Sequence, residues 1–217
     1  MEPTQELLEA VKAGATSTVR ELLDNHPELV QTRDSDGVSA VLLAVYYGHE
    51  ALPQLFLDAG ISLNIFEAAA LGKMTRVVQI LNQQPELVNA CAVDGFTPLG
   101  LAAFFGHQTV AKILLARGAD VNKPSCNKLK ASPIISAVAN RHLAITELLL
   151  EAGADVDASE DGGFTSLQIA AANGQAEMIK MLMNHGADRS IKNDAGKTAY
   201  EMAQEEGHKG IIELLSG

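Results

Sequence analysis

The stretch from Asp94 to Asn122, DGFTPLGLAAFFGHQTVAKILLARGADVN, decides the fold of this 217-residue chain. Thr97-Pro98 predicts a helix start, because threonine can cap the first free amides and proline at the first helical position has no amide to leave unpaired. Gly106 ends that short helix and Gly118 ends a second one, since glycine takes the left-handed conformation without steric cost. Asp94-Gly95 is typical of a tight turn. Two such short helices cannot bury their apolar faces alone, so copies of the unit must stack.

Copies of this unit recur along the whole chain. The glycine that ends the first helix returns at intervals of 34, 24, 34, 35, 33 and 33 residues, in the set Gly14, Gly48, Gly72, Gly106, Arg141 (in the glycine slot), Gly174 and Gly207. Thr97-Pro-Leu is matched by Ser132-Pro-Ile and Thr165-Ser-Leu. The period and these motifs resemble the ankyrin repeat. The resemblance implies an all-α fold, a solenoid of stacked helix-turn-helix units with hairpin-like connecting fingers.

We therefore expect one ankyrin-repeat domain over residues 1–217, with approximate repeats 1–34, 35–63, 64–92, 93–125, 126–159, 160–192 and 193–217. The 24-residue step leaves the third repeat no room for a finger before its first helix. A shift of 58 residues superposes Pro27-Glu-Leu-Val on Pro85-Glu-Leu-Val without a gap, which indicates a duplicated two-repeat unit. The third repeat is then a former capping repeat, and we expect irregular stacking there.

The net charge and the composition limit the classes of partner that the protein can bind. The net charge of −11 argues against nucleic acid, whose affinity depends on Lys and Arg neutralising phosphates, and against an anionic membrane surface. It favours a neutral or basic protein or peptide partner. No apolar run approaches the ~20 residues needed to span a bilayer, and the first residues lack the pattern of a secretion signal. These observations predict a cytoplasmic protein that is a monomer when free.

The two cysteines, Cys91 and Cys126, lie in successive connections. Their spacing exceeds one period by two residues, and the connection that carries Cys126 has no Asp-Gly turn. The expectation is that their Cα atoms are too far apart for a disulfide, which needs roughly 4.4–6.8 Å. The sequence reading therefore predicts two free thiols.

No pattern indicates catalysis, a metal site or a cofactor. The chain has no phosphate-cradling loop, zinc spacing or nucleophile elbow. His49, His107, His142 and His208 occupy the same slot in different repeats, so they do not converge on one point. The resemblance implies that this histidine is a structural hydrogen-bonding residue. We expect no enzyme activity, although a small hydrolase or transferase with an unrecognised site is the alternative from another class.

The resemblance also implies a concave binding face, formed by the residue after the turn glycine and the two before the next helix-ending glycine. Adjacent residues on a helix point about 100° apart, so two neighbouring aromatic rings cannot both face the core. We expect an aromatic groove that binds a protein partner; the alternative is that one ring of each pair packs against the adjacent helix. A dedicated inhibitory or assembly subunit of one enzyme is the other binding function left open. The predicted contact residues are Val38, Tyr46, Tyr47, Leu71, Phe96, Phe104, Phe105, Asn140, Phe164 and Asn173.

Overall fold

The computed structural model describes residues 2–216. Across those residues the chain forms fourteen α-helices in seven antiparallel pairs, stacked so that each pair packs on its neighbours. The helices are α1 (Pro3–Lys12), α2 (Thr16–Asn25), α3 (Ala40–Tyr46), α4 (Leu52–Asp58), α5 (Ile65–Ala70), α6 (Met74–Gln83), α7 (Pro98–Phe104), α8 (Gln108–Ala116), α9 (Pro133–Ala139), α10 (Leu143–Glu151), α11 (Ser166–Ala172), α12 (Ala176–Asn184), α13 (Ala199–Glu205) and α14 (Lys209–Ser216). The predicted all-α solenoid is confirmed.

The helix boundaries follow from local chemistry. The Thr97 hydroxyl accepts a hydrogen bond of 3.0 Å from the Gly100 amide at the start of α7, and Pro98 holds the first helical position. Gly106 has φ of 80° at the end of the same helix, a conformation that a side chain rarely adopts. Arg141, which replaces glycine in the fifth pair, adopts φ of 63°. The left-handed turn is therefore kept even where glycine is absent.

One continuous apolar core runs through the stack, and both helices of each pair contribute leucine, isoleucine, valine and alanine side chains to it. The inner helices, the first helix of each pair, supply many of the buried alanines. Alanines such as Ala102 and Ala103 are fully buried and let neighbouring inner helices approach closely. Leu99 is only 1% exposed, as its position on the helix face predicts. Each pair thus stabilises mainly the two pairs beside it.

Finger-like turns precede five of the inner helices and project from the stack, at residues 34–38, 92–96, 125–131, 160–164 and 193–197. Successive fingers are joined by backbone hydrogen bonds. The Cys126 amide donates to the Gly95 carbonyl at 2.7 Å, and the Asp194 amide donates to the Gly162 carbonyl at 2.9 Å. This ladder holds the 92–96 to 193–197 fingers in one row.

The third pair, α5 and α6, interrupts the regular stack. It has no finger, so the 34–38 finger lies beside the 92–96 finger, where a side chain on Gly37 would touch Val93. The outer helices α4 and α6 approach each other less closely than other neighbouring outer helices do. A cleft of about 630 Å³ opens between them, lined by the 60–63 and 72–76 segments. At this position the neighbouring fingers approach each other, whereas the outer helices are separated by the cleft.

The structure contradicts the prediction of free thiols, because Cys91 and Cys126 form a disulfide with a Cα–Cα distance of 6.3 Å. The 125–131 finger does carry two extra residues, but they lie after Cys126, between Cys126 and Ala131. Cys126 therefore stays in register with the 92–96 finger, and its amide bonds to Gly95. The total spacing was a poor guide because its excess over one period does not come from the insertion: Cys91 lies one residue before the 92–96 finger, whereas Cys126 is the second residue of the 125–131 finger.

None of the helices within residues 2–216 has both the length and the apolar character required to cross a membrane.

Candidate functional site

Four of the predicted aromatic residues form one contiguous cluster, which we call the aromatic cluster: Tyr46, Phe96, Phe104 and Phe105. The ring centroids of Tyr46 and Phe105 are 5.6 Å apart, those of Phe104 and Phe105 are 4.9 Å apart, and those of Phe96 and Phe104 are 6.3 Å apart. The rings meet tilted or edge to face, the arrangements that aromatic quadrupoles favour. All four are partly exposed, and Tyr46, Phe96 and Phe105 also pack on the core.

Tyr46 links the aromatic cluster to the 92–96 finger by a hydrogen bond. Its hydroxyl donates a hydrogen bond of 2.7 Å to an Asp94 carboxylate oxygen in the 92–96 finger. Burial, the hydrogen bond and the negative charge of Asp94 together hold the pKa of Tyr46 above its ordinary value. The phenol therefore stays neutral, and its ring is fixed between the second and fourth helix pairs.

Tyr47 stands apart from the cluster. It is 52% exposed, and its ring stacks on His49 with centroids 6.3 Å apart. Tyr46 packs inward while Tyr47 points outward, as the angle between neighbouring helical residues requires. One ring of this pair thus contributes partly to the core, as the alternative interpretation expected.

The remaining predicted contact residues are spread over the stack. Val38 is only 8% exposed and belongs to the core, so it offers a partner almost no surface. Asn140 uses its amide to donate to the Ser136 carbonyl at 2.9 Å, and the ring of Phe164 lies over Gly162. Asn173 is exposed, and its carbonyl accepts from Arg141 at 2.6 Å. None of these four joins the aromatic cluster.

Leu71, the other predicted residue, lies in a cleft of about 460 Å³ beside the cluster. The cleft separates the α3–α4 turn from the α5–α6 turn, and Phe105 forms one of its walls. Its lining mixes apolar groups such as Pro53 and Leu57 with Glu50 and Lys73. This partly apolar cleft therefore extends from the aromatic cluster toward the second helix pair.

The repeated histidines connect neighbouring helix pairs, as predicted. His107 bonds through Nε2 to the Ala70 carbonyl at 2.8 Å, and His142 bonds to the Phe104 carbonyl at 3.0 Å. Burial lowers the pKa of His107. In the third pair Lys73 occupies this slot, and none of its contacts within residues 2–216 replaces the bond. In the described part of the chain, no three His, Cys, Asp or Glu side chains lie close enough together to hold one metal ion.

Reasoning from sequence missed the polar residues near the missing finger. Glu67 is 3% exposed at the start of α5, where its carboxylate accepts from the Asn64 amide at 2.9 Å. Ser39, also buried, is the residue immediately before α3. The 24-residue step could have pointed to these residues. It shows that the third repeat has no finger, and side chains next to a missing finger face an unfilled space.

Comparison with known proteins supports the repeat assignment. The family model for ankyrin repeats (3 copies) matches residues 65–160 and 134–217, more than half of the chain. The chain is 29% identical over 159 residues to the ankyrin repeat protein YahD of Escherichia coli strain K12, covering 67% of this chain and 78% of that protein. It is 28% identical over 176 residues to human ankyrin repeat domain-containing protein 63, covering 79% of this chain and 40% of that protein.

Several relatives are much longer than this chain. The mouse ankyrin repeat and SAM domain-containing protein 6 is 31% identical over 106 residues, which are 49% of this chain but only 12% of the mouse protein. The similarity to such proteins concerns their repeats alone.

Proposed function

Because the chain belongs to the ankyrin-repeat family, whose repeats generally mediate protein–protein interaction, we propose that it binds a protein or peptide through the aromatic cluster and Tyr47. The observation that carries this proposal is the row of four partly exposed rings from Tyr46 to Phe96. Aromatic side chains dominate the energetics of protein interfaces, and each buries about 150–250 Å². A few such rings can supply the centre of a standard interface of about 800 Å² per partner.

The partner is neutral or basic. Asp94 and Asp36 lie in the fingers next to the cluster, and the chain carries a net charge of −11. Charges at the rim of an interface act mainly on the association rate, so they steer a basic partner while the rings supply most of the affinity. The free protein is proposed to be a monomer.

The test is capture of partners from a cell extract by the wild-type protein and by single variants, with melting temperatures measured on the same samples. Phe104→Ala and Tyr47→Ala should each weaken a captured partner by about 2 kcal/mol or more, as truncation of an interface anchor does. Tyr200→Ala is the matched control, because Tyr200 is a partly buried aromatic on α13, away from the cluster. Unchanged capture by both the Phe104→Ala and the Tyr47→Ala variant would overturn the proposal.

The second candidate function is an inhibitory or assembly subunit of one fixed enzyme. It differs from a general binding module in the number of partners, so recovery of one enzyme at fixed stoichiometry would favour it. The side-chain arrangement does not favour a catalytic function, because Tyr46, Asp94 and His107 beside the cluster are engaged in structural hydrogen bonds.

The Cys91–Cys126 disulfide is relevant to the compartment in which the protein is found. Disulfides persist in oxidising compartments and are rare in the reducing cytosol. We propose a cytoplasmic location, which requires Cys91 and Cys126 to be reduced there. Alkylation of the thiols in intact cells would test this point, and a protein with both cysteines protected would argue for an oxidising compartment.

A further inference from the structure

The missing finger of the third pair leaves a notch of about 150 Å³ between the 34–38 and 92–96 fingers. We call it the inter-finger notch. It exists because α5 begins directly at Asn64 and Ile65, so no turn fills the space above the start of that helix. The residues that define it are Arg33, Val38, Ser39, Leu42, Glu67 and Val93.

Two oxygen-bearing side chains line the notch and have unused hydrogen-bonding capacity. The Oε2 atom of Glu67 accepts from the Asn64 amide at 2.9 Å, whereas Oε1 forms an ion pair with Arg33 at 3.7 Å, too long for a hydrogen bond. The Ser39 hydroxyl is buried and has no partner within residues 2–216. Buried polar groups are normally hydrogen-bonded, and an unmet one is costly. The Ser39 hydroxyl and Glu67 Oε1 therefore both lack a hydrogen-bond donor in the notch.

Apart from Arg33 and Asn64, the other side chains that line the notch are mainly apolar. Val38 and Leu42 are buried, whereas Val93 is 67% exposed and stands at the notch's edge. The volume far exceeds the share of about 30 Å³ that one water occupies in the liquid. A single bridging water would satisfy the polar atoms but leave the apolar lining uncovered. A better match is an alkyl chain that ends in a hydrogen-bond donor.

We propose that the inter-finger notch receives a lysine side chain of the protein partner, with its ammonium group donating to Glu67 and Ser39. Lysine has an apolar four-carbon stem and three donors on a compact charge, so it can satisfy both oxygens at once. The acidic residues Asp34, Asp36 and Asp94 on the adjacent fingers attract such a cation. Arg33 is the competing cation at the same carboxylate.

This proposal rests on the proposed function only for the source of the lysine, since the chemistry of the notch can be tested without any partner. The probe is n-butylammonium, which reproduces the end of a lysine side chain, titrated into the full chain and followed by amide NMR. The expected result is saturable shifts at Asn64, Glu67 and Val93. Neutral n-butanol should bind about tenfold more weakly or not at all, because it lacks the charge.

Two variants change the expected affinity in opposite directions. Glu67→Gln should weaken butylammonium binding by about tenfold or more, because it removes the charged acceptor. It should still fold, since glutamine can replace glutamate in the capping box with Asn64. Arg33→Gln should strengthen binding severalfold, because it removes the competing cation. Ser132→Ala is the control, because Ser132 immediately precedes α9 and has a similarly buried, unpartnered hydroxyl but follows a complete finger.

Three outcomes would overturn the proposal: equal binding of butylammonium and butanol, no loss with Glu67→Gln, or no binding even to the Arg33→Gln variant. The last outcome would mean that the notch is only an apolar gap bridged by Arg33. Failure of the aromatic surface is a separate result, because Phe104→Ala would then leave partner capture unchanged while butylammonium still bound. Loss of a captured partner with both Glu67→Gln and Phe104→Ala, together with butylammonium binding, would support both proposals.

Discussion

The Tyr46 hydroxyl and the Asp94 carboxylate are joined by a hydrogen bond of 2.7 Å, although the two residues are 48 positions apart. The bond connects an inner helix of the second pair to the finger of the fourth pair, so it passes over the third pair. It can form because the third pair has no finger to separate them. This contact also orients the ring of Tyr46 against Phe105.

Replacing Tyr46 with phenylalanine should lower the free energy of unfolding by about 1–2 kcal/mol, because it removes a hydrogen bond to a charged group but keeps the ring. Urea denaturation monitored by circular dichroism would measure the change. Tyr47→Phe is the control, and its effect should stay within about 0.5 kcal/mol, because Tyr47 is exposed. Equal effects of the two substitutions would contradict the structural role of the Tyr46–Asp94 bond.

The same contact predicts a response to alkaline pH. A raised pKa favours the neutral phenol in the folded state, so Tyr46 stabilises the fold fully below the ordinary tyrosine pKa of about 10. That stability is lost as the pH rises above 10, because the unfolded chain ionises first. Ultraviolet titration should show the Tyr46 phenol ionising above the ordinary tyrosine pKa of about 10. The Tyr46→Phe variant should lose this part of the pH dependence.

Leu99→Ala should destabilise the protein by about 2–5 kcal/mol, because Leu99 is 1% exposed at the centre of the stack and its truncation leaves a cavity. Since each pair couples mainly to its neighbours, hydrogen exchange should rise first in the third to fifth pairs. Leu143→Ala is a suitable control, because that leucine is 38% exposed. A uniform loss of protection along the chain would argue against local coupling.

The Cys91–Cys126 disulfide should protect both thiols from alkylation until a reductant is added. It closes a loop of 35 residues, so the chain-entropy account predicts that reduction lowers stability by about 3–4 kcal/mol. Thermal melts with and without reductant would measure this difference. A variant with both cysteines replaced by serine should be insensitive to reductant. Alkylation of both thiols in the unreduced native protein would refute the bond.

His107→Gln should keep the link between the third and fourth pairs while removing its acid sensitivity. Glutamine already fills this slot at Gln175, whose side-chain amide donates to the Val138 carbonyl at 3.0 Å. The lowered pKa of His107 favours the neutral ring in the folded state, so its stabilisation is present above about pH 6.5 and lost as the pH falls. Stability curves from pH 7.5 to 5 should therefore be flatter for the variant. Parallel curves would mean that His107 does not titrate in this way.

Much of the architecture could be predicted from local patterns. The glycines, the Thr97-Pro98 start and the apolar spacing around Leu99 act within one repeat, and the same chemistry recurs in each unit. The hydrogen-bonding role of His107 was also predictable, because its slot fixes its distance from the preceding repeat. The aromatic residues of the cluster were predictable too, because each occupies one of the repeat positions from which the contact residues were predicted.

Only the tertiary structure decided how the fingers meet. Whether Cys91 reaches Cys126 depends on how the 92–96 and 125–131 fingers align, and the total spacing does not reveal that. The Tyr46–Asp94 bond and the notch over Glu67 depend on two fingers closing over a pair that has none. Repetition in a sequence determines contacts within a unit and between regular neighbours. Where the period breaks, the contacts depend on the path that the chain takes around the missing finger. That path is decided by how all the helix pairs pack together.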